Sequence, residues 1–371
     1  MIYKEYGKTG LKLSAVGFGG MRFEDELVQA GRFGECAELV LYAHGKGINY
    51  IDTAPFYNGD KSEEIFGVAL AQIPRDEIYV STKANFGTCL GEPSRDSFRR
   101  RLELSLERLK VDYIDFYHHW WFLNIEGYRK EVDGLYKFFE EVKSEGLIKH
   151  IAFSSHMMNE DLISVVDDGL YEGVLLGYNA LNHRFRVSGV EAAYNAGMGV
   201  TVMNPVAGGI IPQNPETFAY LAEGTEYSVA GAALRFVMSH KEVTVALNGF
   251  NNTNEVDEAV RMTENLEIKP AKNVIAGLKE GVSLDNLCTV CGYCGECPRG
   301  VPIVKYMDAY NQKLLGRDIG NWLRWHWNIY NDKAKDCNGC GQCEARCTQH
   351  LPIIERLAEI GELQGVPTPA E

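Results

Sequence analysis

Side chains able to gain and lose protons follow short apolar runs in the first part of this 371-residue chain. Asp52 and Tyr57 follow one such run, and Lys83 follows the next. The two runs after that are followed by imidazole and hydroxyl groups: His118, His119, Ser154, Ser155 and His156. Taken singly, each has an ordinary explanation, such as a turn former, a half-buried aromatic or a solvated lysine. Because parallel strands end at one edge of a sheet, their joint occurrence predicts a single site.

The runs that position these residues recur eight times and mostly alternate with helical periodicity. The predicted strands are 12–16, 49–52, 78–82, 113–117, 150–153, 173–177, 199–203 and 243–247. The predicted helical stretches are 36–45, 62–71, 94–110 and 134–146, the third with Ser94 as its N-terminal cap. This pattern predicts an α/β fold, a (β/α)8 TIM barrel, with an open doubly wound sheet as the alternative. The glycines at 17–20 are not followed by an apolar helix start, so we interpret them as a tight turn rather than a dinucleotide loop.

Eight of the ten cysteines lie in two closely spaced runs near the C-terminus. The runs are Cys288, Cys291, Cys294 and Cys297, then Cys337, Cys340, Cys343 and Cys347. Thiolates at such short spacing can surround a cuboidal iron–sulfur cluster. Two zinc sites of four cysteines each are an alternative, and a disulfide framework fits poorly because the other two cysteines stand alone. We therefore divide the chain into a barrel at 1–280 and a cysteine-rich domain at 281–371.

Composition excludes several classes of protein. With 45% hydrophobic residues the chain has enough apolar material for a large core, which a disordered chain lacks. A net charge of −14 makes nucleic acid an unfavourable partner. No apolar run approaches the roughly 18 residues of a membrane span, and the first ten residues do not resemble a signal peptide. We expect a cytoplasmic protein with a small-molecule substrate and no membrane association; its oligomeric state stays open.

The barrel region resembles the aldo-keto reductases. The resemblance is carried by the stretch from Asp52 to Gly59 (DTAPFYNG), by the Ser-Thr-Lys ending at Lys83, by 112–117 (DYIDFY) and by Tyr178-Asn179. It implies a barrel that binds a nicotinamide cofactor across its rim and reduces a carbonyl compound. It also implies that Tyr57 is the general acid, with Asp52 and Lys83 as its partners.

The physical chemistry of these three groups agrees with that role. A free phenol has a pKa of about 10, too high for ready proton exchange at neutral pH. A nearby ammonium favours the phenolate and lowers this pKa, and Asp52 can hold Lys83 in place. Lowering the pKa by about two units requires roughly 3 kcal/mol, which one charge in a dry cleft can supply.

The same resemblance implies a set of cofactor contacts at the ends of the strands. They are Gly20, Met21, Asp52, Ser154, Ser155, Tyr178, Asn204, Pro205, Asn248, Gly249, Phe250, Asn251 and Glu255. The stretch 248–255 contains no Lys or Arg to bind a 2′-phosphate, which slightly favours NADH over NADPH, with Arg261 as the nearest cation. A bound flavin is a further possibility.

The sequence departs from the family where a histidine usually stands, because Trp120 occupies that position. By strand alternation His118 shares a face with Trp120, whereas His119 points to the other face unless the strand bulges. We therefore retain both histidines as candidate catalytic residues.

The tail resembles a bacterial two-cluster ferredoxin, and the whole chain resembles an iron–sulfur branch of the aldo-keto reductases. In such ferredoxins the fourth cysteine of each run binds the other cluster. The resemblance therefore implies two [4Fe-4S] clusters in a small α-rich domain. One would be bound by Cys288, Cys291, Cys294 and Cys347, the other by Cys337, Cys340, Cys343 and Cys297.

Three functional hypotheses follow. The first is an NAD(P)H-dependent carbonyl reductase whose clusters exchange electrons with a redox partner protein or sense redox state. The second is a reductase in which the clusters or a flavin supply the electrons and the nicotinamide is secondary. The third is a non-catalytic electron-transfer or binding protein.

Overall fold

The computed structural model describes residues 1–278 and 286–363. The chain forms two compact units. The larger comprises Met1–Pro205 and Leu221–Lys279, and the smaller comprises Val206–Tyr220 and Glu280–Glu371. The boundary expected at residue 280 falls outside the described residues. Within the described ranges, no helix has both the length and the apolar character needed to cross a bilayer.

The larger unit is a closed barrel of eight parallel strands preceded by a two-stranded antiparallel hairpin. The strands are β1 Tyr3–Glu5, β2 Lys12–Ser14, β3 Val16–Gly19, β4 Tyr50–Asp52, β5 Tyr79–Ala84, β6 Ile114–Phe122, β7 Ile148–Ser155, β8 Gly173–Gly177, β9 Gly199–Met203 and β10 Val245–Asn248. β3 to β10 follow one another round the barrel, and β10 closes it against β3. The predicted barrel is confirmed.

Helices cover the outside of the barrel and build the smaller unit. They are α1 Asp25–Gln29, α2 Phe33–Gly45, α3 Ser62–Leu70, α4 Arg95–Leu109, α5 Ile125–Ser144, α6 Asn159–Asp167, α7 His183–Asn195, α8 Ile210–Gln213, α9 Val229–Ser239, α10 Thr253–Arg261, α11 Ala271–Ala276, α12 Ile303–Leu314, α13 Ile319–Asn321, α14 Gln342–Ala345 and α15 Ile353–Gly361. Ser94 caps α4 as predicted: its Oγ accepts from the Ser97 amide at 3.2 Å, and the Ser97 hydroxyl accepts from the Ser94 amide at 2.9 Å.

The first barrel strand is not where the sequence predicted it. Residues 12–14 belong to the hairpin, and β3 consists largely of the glycine-rich stretch that we interpreted as a turn. A Cβ at Gly17 would lie 2.7 Å from Val245 Cγ1 and 2.9 Å from Leu247 Cδ2. Glycine is required here because neighbouring side chains fill the barrel. The strand was not predicted because glycine has a low strand propensity.

The smaller unit packs α12 against α15 around its own apolar core, which includes Met307, Leu357 and Ile360. The segment 206–220 belongs to this unit although it directly follows β9 and Pro205 in the chain. Gly208 makes a close approach there, because a Cβ at this position would lie 2.5 Å from the Thr289 carbonyl oxygen. Thr289 follows the first cysteine of the first run.

Candidate functional site

Asp52 and Lys83 form a buried ion pair at the carboxyl ends of β4 and β5. The Lys83 Nζ donates to Asp52 Oδ1 at 2.5 Å and to the Thr53 carbonyl oxygen at 2.6 Å. The Ser81 hydroxyl donates to Asp52 Oδ2 at 2.7 Å. Lys83 is fully buried, which lowers its pKa, while the Asp52 carboxylate opposes that shift. These contacts fix the position of the amine at the end of its strand.

Tyr57 lies beside this pair. The Lys83 Nζ is 5.0 Å from the centroid of the Tyr57 ring, and the ring is half-buried. The ring also makes an edge-to-face contact with Trp120, with centroids 5.8 Å apart. The acid, the amine and the phenol predicted to act together are therefore neighbours in the structure.

The turn that carries Tyr57 has an unusual backbone. Phe56, Asn58 and Asp60 all have positive φ angles, of 71°, 50° and 69°. Such conformations cost roughly 1–2 kcal/mol per residue, somewhat less for Asn and Asp. Arg108 of α4 holds the turn by donating to both Asp60 carboxylate oxygens at 2.8 Å, and Asp60 Oδ1 also accepts from the Phe56 amide at 3.2 Å. The sequence analysis missed this support, although the Asn-Gly-Asp stretch is a turn signal.

His118 faces the barrel interior on the same side of β6 as Phe116 and Trp120. It is fully buried, and among residues 1–278 and 286–363 neither ring nitrogen makes a well-aligned hydrogen bond, although the Phe153 backbone of β7 lies close enough to favour the charged ring slightly. Burial lowers its pKa to about 4; Lys83 reinforces the effect and Asp52 opposes it. His118 is therefore a neutral imidazole near neutral pH, within electrostatic reach of the Asp52–Lys83 pair.

His119 lies on the opposite face of β6, away from this group. Its Nδ1 is 3.0 Å from the Tyr171 hydroxyl. Its ring centroid lies 4.3 Å from that of Phe122 and 6.0 Å from that of Phe139 of α5. The bulge in β6 comes only after His119, where Trp121 has a positive φ of 69°. Strand alternation therefore predicted the orientation of both histidines correctly. The structure places only His118 near the Asp52–Lys83 pair.

Most of the predicted cofactor residues lie at the carboxyl ends of the barrel strands. Gly20 and Met21 follow β3; Ser154 and Ser155 end β7; Asn204 and Pro205 follow β9; Asn248 ends β10; Gly249, Phe250 and Asn251 follow it. Glu255 in α10 holds this last turn, because its carboxylate accepts from the Asn251 amide at 2.8 Å. Phe250 is buried, with its ring centroid 5.2 Å from that of Phe18.

Tyr178 was also predicted to contact the cofactor, but its location does not favour that role. It is fully buried, its hydroxyl is 2.9 Å from His240 Nε2, and its ring faces Phe236 of α9. The side chain follows β8 but points into the helix layer rather than to the rim.

The sequence analysis missed Arg22 as a cation near the stretch 248–255. A Cβ at Gly249 would lie 3.3 Å from the Cβ of Arg22, which is exposed. Because more than two hundred residues separate these positions, only the barrel closure of β10 against β3 brings them together. Arg22 therefore lies close to this turn in space, although the two are far apart in the sequence.

The eight clustered cysteines line two separate small cavities in the smaller unit. Cys288, Cys291, Cys294 and Cys347 line one, here called the inner cavity. Cys297, Cys337, Cys340 and Cys343 line the other, here called the outer cavity. Each cavity thus takes three cysteines from one run and one from the other, which is the sharing implied by the ferredoxin resemblance.

The donor set of each cavity fits a cuboidal iron–sulfur cluster. Four cysteine thiols line each cavity, and four thiolates are the ligands of such a cluster. Burial raises the pKa of Cys294 to about 12 and also raises that of Cys288, so a metal cluster bound here would have to stabilise the thiolates.

Comparison with known proteins decides the family. Residues 15–274 match the sequence profile of the aldo/keto reductase family. The chain belongs to this family. Residues 287–352 match a 4Fe-4S dicluster domain, so the aldo/keto reductase barrel is joined to an iron–sulfur domain as predicted.

Relatives and solved structures agree with this family. The chain is 28% identical to an L-galactose dehydrogenase of Arabidopsis thaliana, covering 70% of this chain and 88% of the relative. It is also 28% identical to an NADH-specific methylglyoxal reductase of Escherichia coli, covering 55% of this chain and 67% of the relative. The holo form of an aldo-keto reductase from Bacillus halodurans matches with a TM-score of 0.64 at 22% identity, covering 76% of this chain and 98% of that one. A Klebsiella pneumoniae aldo-keto reductase in complex with NADPH matches with a TM-score of 0.57 at 19% identity, covering 71% of this chain and 90% of that one. At these identities the two structures support the fold alone.

Proposed function

We propose that this protein reduces a small aldehyde or ketone with NAD(P)H and that Tyr57 donates the proton. The observation that carries the proposal is the fixed, buried Lys83 amine 5.0 Å from the Tyr57 ring centroid. A cation at this distance stabilises the phenolate that remains after proton transfer. Membership of an oxidoreductase family supports the same reaction class.

In this proposal each residue of the group has one task. Tyr57 gives its hydroxyl proton to the carbonyl oxygen, Lys83 stabilises the resulting phenolate, and Asp52 keeps Lys83 in place. The nicotinamide, when bound, supplies the hydride. Neutral His118 would orient the substrate or cofactor through a ring N–H, and its two buried nitrogens, which lack a well-aligned hydrogen bond within the described ranges, are consistent with a site that a bound group completes.

We further propose NADH as the preferred cofactor. The turn at 248–255 has no cationic side chain to pair with a 2′-phosphate, and one relative is an NADH-specific reductase. Arg22, which lies beside this turn, is the cation that would pair with a 2′-phosphate and so weaken the preference for NADH. The ratio of kcat/KM for NADH to that for NADPH, measured before and after Arg22→Ala, tests both statements. A parent protein that uses NADPH more efficiently would overturn the preference.

The Tyr57→Phe variant tests the proton donor. We expect its kcat for carbonyl reduction to fall by about 10²–10⁴-fold, because general acid catalysis typically contributes that much. Cofactor affinity, measured by fluorescence titration, should stay nearly unchanged. Tyr194→Phe, at a partly exposed tyrosine of α7, is the matched control and should keep the parent rate. The substrate panel should include methylglyoxal and aldose sugars. Unchanged turnover in Tyr57→Phe would refute the proposed mechanism.

A further inference from the structure

The two cysteine cavities differ in their exposure to solvent. Three of the four cysteines of the inner cavity are buried: Cys288, Cys294 and Cys347 are 7%, 9% and 7% exposed. None of the four cysteines of the outer cavity is buried, and Cys340 is exposed. The smaller unit therefore has one protected cysteine site and one at its surface.

The backbone around Cys340 leaves the surface open for close approach. Asn338 and Gly339 before it are exposed. Gly339 and Gly341 have φ angles of 70° and 74°, and a Cβ at either position would meet no atom within 4 Å. These conformations favour glycine, and the lack of side chains keeps the neighbouring peptide groups accessible.

The inner cavity differs in the burial of its lining, although Gly292 beside Cys291 is also exposed and has a φ of 85°. Thr289, Met307, Thr348 and Leu351 line it together with its cysteines, and all four are buried. Electron exchange between proteins requires that the redox groups approach closely, so an electron reaches a surface site more readily than a protected one.

We propose that the outer cavity is the port through which this protein exchanges single electrons with a carrier protein, and that the inner cavity has no direct exchange with the outside. In each exchange the carrier loses one electron and the protein gains one, or the reverse. No covalent bond forms or breaks, and no proton is transferred. The carrier is a small one-electron iron–sulfur protein. This proposal does not depend on the proposed carbonyl reduction.

Single-cluster variants test it on the full-length protein. Cys291→Ser removes one ligand from the inner cavity, and Cys340→Ser removes the corresponding ligand of the other run from the outer cavity. Iron content and EPR spectra identify the cluster that each variant keeps. Each variant is then mixed by stopped flow with a reduced plant-type [2Fe–2S] ferredoxin and, separately, with reduced methyl viologen.

We expect Cys291→Ser to accept electrons from the ferredoxin at nearly the parent rate, and Cys340→Ser to be slower by at least about tenfold. Equal rates, or a faster reaction in Cys340→Ser, would overturn the proposal.

A second pair of variants keeps every cysteine, so it remains informative if a ligand variant fails to fold. Asn338 lines the outer cavity and Gln349 lines the inner one. Asn338→Trp should slow electron uptake from ferredoxin more than from methyl viologen, because the added ring keeps a protein at a distance. Gln349→Trp is the control and should change neither rate. Iron content should match the parent in both variants. An equal effect of the two substitutions, or none from Asn338→Trp, would refute the assignment of the port.

Discussion

Removing the Asp60 carboxylate should impair the reaction by releasing the turn that carries Tyr57. Three non-glycine residues of this turn adopt left-handed conformations, and Asp60 holds it through two bonds from Arg108 and one from the Phe56 amide. Partial burial opposes ionisation, but the Arg108 guanidinium prevails and lowers the pKa of Asp60. Asp60 is therefore a carboxylate at neutral pH, and Asp60→Ala deletes all three bonds.

The size of the effect follows from these contacts. Hydrogen bonds to charged groups contribute about 1.5–3 kcal/mol when buried, whereas exposed ion pairs contribute about 0.2–1 kcal/mol. The Asp60 side chain is 36% exposed, so solvent screening places the total near the lower range, at about 1–2 kcal/mol. If all of this energy serves to hold Tyr57 in position, kcat falls by about 5- to 30-fold.

The assay must separate positioning from general loss of stability. Urea denaturation should show Asp60→Ala destabilised by about 1–2 kcal/mol, and steady-state kinetics should show a lower kcat with little change in cofactor KM. Asp60→Gly removes the same bonds but tolerates the φ of 69°, so it should recover part of the stability without recovering kcat. Asp133→Ala, at an exposed aspartate of α5, controls for the loss of one charge. An Asp60→Ala protein that is destabilised as expected yet keeps the parent kcat would refute the positioning role.

Three further predictions concern His118, the Arg101–Glu63 pair and Cys340. Because the folded protein holds His118 neutral with a pKa of about 4, whereas the unfolded chain protonates near 6.5, stability should fall as pH drops from about 6.5 to 4. The loss of stability due to this group is about 3 kcal/mol. Denaturation curves of His118→Phe at pH 7 and pH 4.5 should lack this loss, and the same pH dependence in parent and variant would show that His118 does not cause it. Arg101 and Glu63 are both buried and paired at 3.0 Å, and Arg108 lies 3.5 Å from the same Glu63 oxygen. Arg101→Met should therefore cost less in urea denaturation than the roughly 3–5 kcal/mol of a buried charge left without any partner. Glu63→Gln/Arg101→Met should recover part of this cost, whereas a double variant no more stable than the single one would argue against a poorly compensated buried carboxylate. Cys340→Ala should lose about half of the iron measured by colorimetric assay, whereas Cys36→Ala should retain it all; equal iron in both would remove Cys340 from the cluster ligands.

The sequence predicted most of what depends on local pattern. Apolar runs alternating with helical periodicity predicted the barrel, and cysteine spacing predicted the iron–sulfur domain, because both signals repeat along the chain. Strand alternation also predicted that His118 and His119 point in opposite directions. The first barrel strand was missed because glycines carry no hydrophobic pattern, and their role depends on side chains from β10 that fill the space beside them.

Residue type and local spacing in the sequence were sufficient to name Asp52, Tyr57, Lys83 and the eight cysteines. Only the tertiary structure decided which groups surround them. Arg108 reaches Asp60 from another helix, Arg22 meets Gly249 through closure of the barrel, and Tyr178 turns away into the helix layer. The difference in exposure between the two cysteine cavities is likewise a property of packing. These features arise from contacts between residues distant in sequence, so no local pattern records them.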